Sequence, residues 1–115
     1  MSKTWKQFER TVAKFFNTER NPLSGGNGKI SRSDSLHPKL YIEDKYSVKS
    51  SLVTLFEDTD TKASLEEKLP VICTKKRGQN GFLITIHSED IIDFMEIMNE
   101  QVREVVENVQ QVQGS

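Results

Sequence analysis

Leu40-Tyr41-Ile42-Glu43-Asp44-Lys45-Tyr46 is the stretch on which the fold turns. It is rich in aromatic and branched apolar residues and free of Gly and Pro, which predicts a β-strand. Side chains alternate across a strand, so Tyr41, Glu43 and Lys45 share one face while Leu40, Ile42, Asp44 and Tyr46 share the other. A carboxylate and an ammonium therefore project together. Asp44 falls on the face expected to pack, where burying it unpaired would cost on the order of several kcal/mol. Either that face is partly wet at Asp44, or Asp44 pairs with a base such as Lys49 or with a residue of the following helix.

Upstream, residues 31–36 form a second extended segment, separated from the first by His37-Pro38-Lys39, where proline suits the first central position of a turn. A hairpin about Pro38-Lys39 sets Asp34 opposite Glu43, with Cβ atoms about 5 Å apart on one face. That spacing suits two carboxylates sharing a metal ion. Before the hairpin, residues 17–29 hold Asn21-Pro22 and Ser24-Gly25-Gly26-Asn27-Gly28, a loop composition. Residues 4–16 place Trp5, Phe8, Val12, Phe15 and Phe16 at helical spacing. Glu9 lies on the same stripe, so its carboxylate faces protein and needs a partner.

Downstream, residues 51–67 carry Leu52, Phe56, Thr59 and Ala63 on one stripe and predict a second helix. Residues 69–74 and 81–87 read as two buried strands linked by the basic turn Lys75-Lys76-Arg77-Gly78-Gln79-Asn80. Ser88 is the expected N-cap of a last helix, with Glu89 and Asp90 at its positive end. Ile91, Met95, Met98, Val102, Val105, Val109 and Val112 recur at alternating spacings of four and three, the seam of a helix packed lengthwise on another helix. Residues 91–112 span roughly 33 Å at 1.5 Å per residue, more than the flank of so small a domain. That excess length predicts a homodimer. The element order is that of an α/β protein: a mixed four-stranded sheet flanked by helices, with a core over 1–90 and a long C-terminal helix over 91–115 of the same domain.

The 115 residues suffice for one domain and not for a second catalytic one. No apolar run approaches the roughly 20 residues that cross a bilayer, and no signal-peptide core is present, so an intracellular, cytoplasmic protein with no membrane partner is expected. A single cysteine, Cys73, excludes an intramolecular disulfide and a multi-Cys zinc site. His37 and His87 read as a turn residue and a strand-end residue rather than metal ligands. The net charge of −1 is unevenly spread. Residues 1–50 hold ten Lys/Arg against five Asp/Glu, whereas residues 78–115 hold Arg103 against seven acids. The basic half is where a phosphate backbone would dock.

Glu9, Asp34, Glu43 and Lys45 together offer what phosphodiester hydrolysis requires: hard oxygen ligands for Mg²⁺ and a cation beside the reacting phosphate. Bound metal and Lys45 would also keep clustered acids ionised. These residues resemble the PD-(D/E)xK nucleases, and within them the archaeal-type Holliday junction resolvases and small phage endonucleases. The likeness runs from the first helix to His87. It consists of Phe8-Glu9-Arg10, the loop Ser24-Gly25-Gly26, Ser33-Asp34, the strand Ile42-Glu43-Asp44-Lys45, and the later strands around Leu69-Pro70-Val71-Ile72 and residues 81–87. The resemblance implies a restriction-endonuclease-like core and a metal-dependent DNA endonuclease, structure-selective or nicking. Mg²⁺ would be its cofactor, with Mn²⁺ substituting, and no nucleotide would be needed. It implies Asp34 and Glu43 as metal ligands, Glu9 as the helix-borne acid completing the site and Lys45 as the catalytic lysine. Arg10 and Ser24 would contact phosphate. Two positions depart from the pattern: Ser33 stands where the family name has proline, and Asp44 where an apolar residue is usual.

DNA, duplex or branched, is the expected partner. Gly25 and Gly26 would close on the phosphate backbone through free N–H groups, and Arg32, Lys75, Lys76 and Arg77 would grip it as charges. Two other readings compete. One is a catalytically inactive DNA-binding protein of the same fold. The other is a protein-interaction module acting through the acidic C-terminal helix.

Overall fold

The computed structural model describes residues 2–22, 31–46 and 51–113. Helix α1 spans Ser2–Phe15, strand β1 Leu40–Tyr46, helix α2 Leu52–Leu65, strand β2 Leu69–Lys75, strand β3 Leu83–Thr85, and helix α3 Ile91–Gln113, the last entered through a single 3₁₀ turn at Ser88–Asp90. The sheet order is β1-β2-β3. β1 and β2 run parallel, with Leu40 beside Leu69 and Tyr46 beside Lys75, and α2 is the crossover between them. β3 returns antiparallel, pairing Ile72 with Thr85 and Thr74 with Leu83.

The sheet is therefore α/β and mixed, but among the described residues it has three strands where four were expected. Residues 31–36 do run along the outer edge of β1, yet they do so mostly through side chains. Ser33 Oγ accepts from Ile42 N (2.8 Å) and donates to Ile42 O (3.0 Å), occupying groups that a ladder partner would use. Asn21 Nδ2 donates to the carbonyls of Ser31 and Ser33 (2.9 Å each). One isolated antiparallel bridge, Arg20 with Ser35, remains. The connection is closed by His37, whose Nδ1 accepts from the backbone N–H groups of both Lys39 and Leu40 (3.0 and 3.1 Å).

The core forms where α1 crosses one face of the sheet: Phe8, Val12 and Phe16 pack on Leu40, Ile42, Val71 and Cys73. α1 ends because Asn17 takes a left-handed conformation (φ 54°), which lets Thr18 N–H reach back to Ala13 O (2.9 Å). Trp5 and Phe15, which share the helical spacing of Phe8, Val12 and Phe16, are 40% and 47% exposed, being at the margins of the buried stripe. α2 covers the opposite face through Thr59 and Ala63, its first turn capped by Ser51.

Two further expectations change. β3 is not buried: it is the sheet's edge, and Leu83 is 72% exposed. The last helical segment is capped by His87 rather than Ser88, with the imidazole Nδ1 accepting from Glu89 N (3.1 Å). α3 turns Phe94, Ile97 and Met98 to the core, while Ile91, Met95, Val102, Val105 and Val109 stay exposed. Among the heptad positions whose side chains are described, Met98 is the one that packs on the core, because the core-facing stripe is offset from the seam. None of the described helices is long and apolar enough to cross a membrane.

Candidate metal centre

Three elements bring carboxylates to one point. α1 supplies Glu9, one residue from Phe8 and three from Val12, so the stripe that buries those side chains buries Glu9 as well (1% exposed). The segment before β1 supplies Asp34, whose N–H donates to Ile42 O (2.8 Å). Its Oδ2 accepts from the Asp44 N–H (2.7 Å), so the carboxylate curls toward the backbone of β1. β1 supplies Asp44 on the face it shares with Leu40 and Ile42, against α1. Carboxylate oxygens of Glu9, Asp34 and Asp44 all lie within 4.8 Å of one another.

These acids are poorly compensated. Arg20 Nε donates to Glu9 Oε1 at 2.6 Å, with its guanidinium 5.6 Å from the centre of the Trp5 ring. Glu9 Oε2 has no hydrogen-bond partner, nor has either oxygen of Asp44. Burial pushes the Asp44 carboxyl up to about 9, helped by the charges of Asp34, Glu9 and Glu43. Asp34 rises to about 7, chiefly by burial and then by Glu43, against the opposing Asp44 N–H. Glu9 also rises through burial, although Arg20 pulls it down. Buried polar atoms nearly always have a partner. Three unpartnered oxygens in one cluster could hold a hard cation, which takes carboxylate oxygens and would favour the charged form of all three acids.

Glu43 and Lys45 lie on the other face of β1, as alternation requires. Lys45 Nζ is 3.5 Å from Glu43 Oε1, and the lysine side chain is half-exposed. Burial raises the Glu43 carboxyl while Lys45 and Lys62 lower it, which places Glu43 toward α2. It remains close enough to act on Asp34, but it is not among the acids gathered within 4.8 Å.

Of the residues expected to meet phosphate, Arg10 is exposed on α1. Arg32 is exposed, with its N–H donating to Glu66 Oε2 (3.1 Å). Lys75 ends β2 beside Tyr46, and Lys76 and Arg77 follow in an exposed turn, so all three lie at the end of the sheet where Lys45 emerges. Ser24, Gly25, Gly26 and Lys49 lie outside the described residues. Two participants escaped the sequence reading. Arg20 sits in a stretch without periodicity, so nothing local ties it to Glu9. Asp44 was visible as an acid on a packed face, but its neighbours were not. Compared with protein-family models, with curated proteins and with solved structures, the chain has no match.

Proposed function

We propose that this protein is a metal-dependent DNA endonuclease of the PD-(D/E)xK kind, with a restriction-endonuclease-like core. The observation that carries the reading is the buried cluster of Glu9, Asp34 and Asp44 with three unpartnered oxygens, adjoining a strand from which Lys45 reaches solvent. A divalent cation bound there supplies Lewis acidity to a phosphodiester and offsets the charge that develops on it. Lys45 leaves the opposite face of the same strand, half-exposed and paired with Glu43, so in this reading its ammonium would have to turn away from Glu43 to offer the attacked phosphate a second positive charge. Arg20 anchors Glu9 through Oε1 and so leaves Oε2 for the cluster. Arg10 and the turn Lys75-Lys76-Arg77 supply exposed positive charge for a DNA backbone.

A homodimer suits an enzyme that cuts both strands of a symmetric junction, and α3 favours it. Beyond Gln101 the helix carries Val102, Val105 and Val109 exposed on one side. The positions beside that seam are Gln101, Val106 and Asn108, all uncharged, whereas Glu100, Glu104 and Glu107 lie off it. Two copies can therefore pair without bringing acids together.

The deciding experiment incubates the chain and Mg²⁺ with supercoiled plasmid, linear duplex and a synthetic four-way junction, alongside Asp34→Asn and Lys45→Ala. Cleavage should require Mg²⁺ and fall at least a hundredfold in both variants. Cleavage confined to the junction selects junction resolution over general nicking. Undiminished cleavage by both variants would refute the assignment, as would metal-independent DNA binding with no cleavage at all.

A further inference from the structure

We propose that the cation is held by the carboxylates of Asp44, Asp34 and Glu9, on the α1 face of β1, and that Glu43 stays outside the ligand set as the partner of Lys45. This rests on the metal-dependent reading above and departs from what the sequence resemblance implies, in which Asp34 and Glu43 are the ligands and position 44 is a packed apolar residue.

The case begins with alternation. Residues 43 and 44 of one strand point to opposite faces, so a cation in direct contact with side chains of α1 takes its strand ligand from the α1 face. That face carries Asp44, in line with Leu40 and Ile42, which pack on Phe8, Val12 and Phe16. Ligand distances set a second limit. Oxygens bind Mg²⁺ or Ca²⁺ at roughly 2.0–2.6 Å, so two oxygens on one ion lie no more than about 5 Å apart. Glu9, Asp34 and Asp44 meet that limit pairwise, and Glu43 is not in the group.

The state of the side chains separates the two acids further. Asp44 is 4% exposed and both its oxygens lack any partner. The charges acting on it, those of Asp34, Glu9 and Glu43, are all negative. Glu43 by contrast has Lys45 at 3.5 Å and feels Lys62 from α2. Arg20, the base in direct contact with the α1-side cluster among the described residues, is committed to Glu9 Oε1. Asp44 is thus the carboxylate whose burial has no compensation within the chain, and a cation touching both Asp44 and Glu9 Oε2 accounts for every orphaned oxygen in the cluster at once. Asp34 is pre-aimed for the third bond, since the Asp44 N–H holds its Oδ2.

The test reads metal binding rather than cleavage. Mn²⁺ is titrated into the full chain at neutral pH and free Mn²⁺ is followed by its electron-paramagnetic-resonance signal, for the native protein, Asp44→Asn, Asp34→Asn and Glu43→Gln, each checked for folding by circular dichroism. Asp44→Asn and Asp34→Asn should weaken Mn²⁺ binding at least tenfold, and Glu43→Gln less than threefold. As a measurement that needs no variant, Mg²⁺ added to carboxyl-¹³C-labelled native protein should shift the Asp44, Asp34 and Glu9 carboxyl signals and leave Glu43 the least moved. Native affinity in Asp44→Asn with loss in Glu43→Gln, or a Glu43 signal that moves while Asp44 does not, overturns this ligand set and leaves the metal-dependent reading standing. A native chain that neither binds Mn²⁺ nor cleaves DNA overturns both.

Discussion

Removing divalent cations and raising the pH from 7 to 8.5 should destabilise this protein, and Asp44 should be the cause. An acid whose carboxyl is raised in the fold keeps its proton there at pH values where the unfolded chain has lost it. Stability then falls as pH climbs from the unfolded value toward the folded one. Asp44 goes from an ordinary 3.8 to about 9, so the whole interval lies inside its window. Each pH unit per retained proton is worth about 1.4 kcal/mol, and allowing for partial ionisation near pH 8.5 the loss comes to about 2 kcal/mol. Asp34, at about 7, adds only a few tenths of a kcal/mol because it has largely ionised already. His37, lowered to about 4 by burial, is neutral in the fold and largely neutral in the unfolded chain here, so it offsets the slope by only about one or two tenths of a kcal/mol. Urea unfolding in the presence of a chelator, followed by the fluorescence of Trp5, would measure the change. Asp44→Asn should flatten the slope and leave the variant the more stable protein at pH 8.5. Mg²⁺ at about a hundred times its dissociation constant should restore roughly 2–3 kcal/mol to the native chain. A chelated native protein whose stability holds or rises from pH 7 to 8.5, or an Asp44→Asn variant with the native slope, would refute the account of this cluster.

Other perturbations test the scaffold around it. His37→Ala strips the acceptor from two backbone N–H groups at the start of β1 and should cost about 2 kcal/mol in urea unfolding at pH 8. Because the folded imidazole resists protonation down to about pH 4, His37 should offset, as pH drops from about 6.5, the stability that the raised Asp44 and Asp34 carboxyls gain, and the variant should lose that opposing component and stabilise more steeply on acidification. Arg20→Ala leaves Glu9 buried with neither oxygen paired and should cost roughly 2–4 kcal/mol in metal-free unfolding at pH 8, whereas Glu9→Gln, which can still accept from Arg20, should cost less. Val102→Glu combined with Val109→Glu should convert a dimer into monomers in sedimentation velocity while leaving helix content unchanged, since both valines face solvent within one chain. A native chain that sediments as a monomer at micromolar concentration would remove the pairing of α3.

The elements with strong local signals were legible in the sequence. The 3.6-residue stripe of Phe8, Glu9 and Val12 marked α1 and the burial of its acid, because a helix that buries one side buries everything on it. The regular α3 was evident too, although its core-facing residues were not, since Phe94 and Ile97 stand one position from the heptad seam. The expected fourth strand failed for a physical reason that propensity does not register: Ser33 and Asn21 satisfy the backbone with side chains and replace the ladder. β3 is as apolar as a buried strand but lies at the edge of the sheet, a matter of strand order rather than composition.

Alternation along Leu40–Tyr46 by itself determined that Glu43 and Lys45 project together and that Asp44 points the other way. It also marked Asp44 as an acid in need of compensation. Which face would receive the other acids was decided only by tertiary structure. α1 crosses the Leu40–Ile42 side and brings Glu9, and Asp34 turns its carboxylate onto the Asp44 N–H. The two contacts join residues far apart in the chain, and their position follows from how a helix seats on a sheet face, which side-chain periodicity within one segment does not specify.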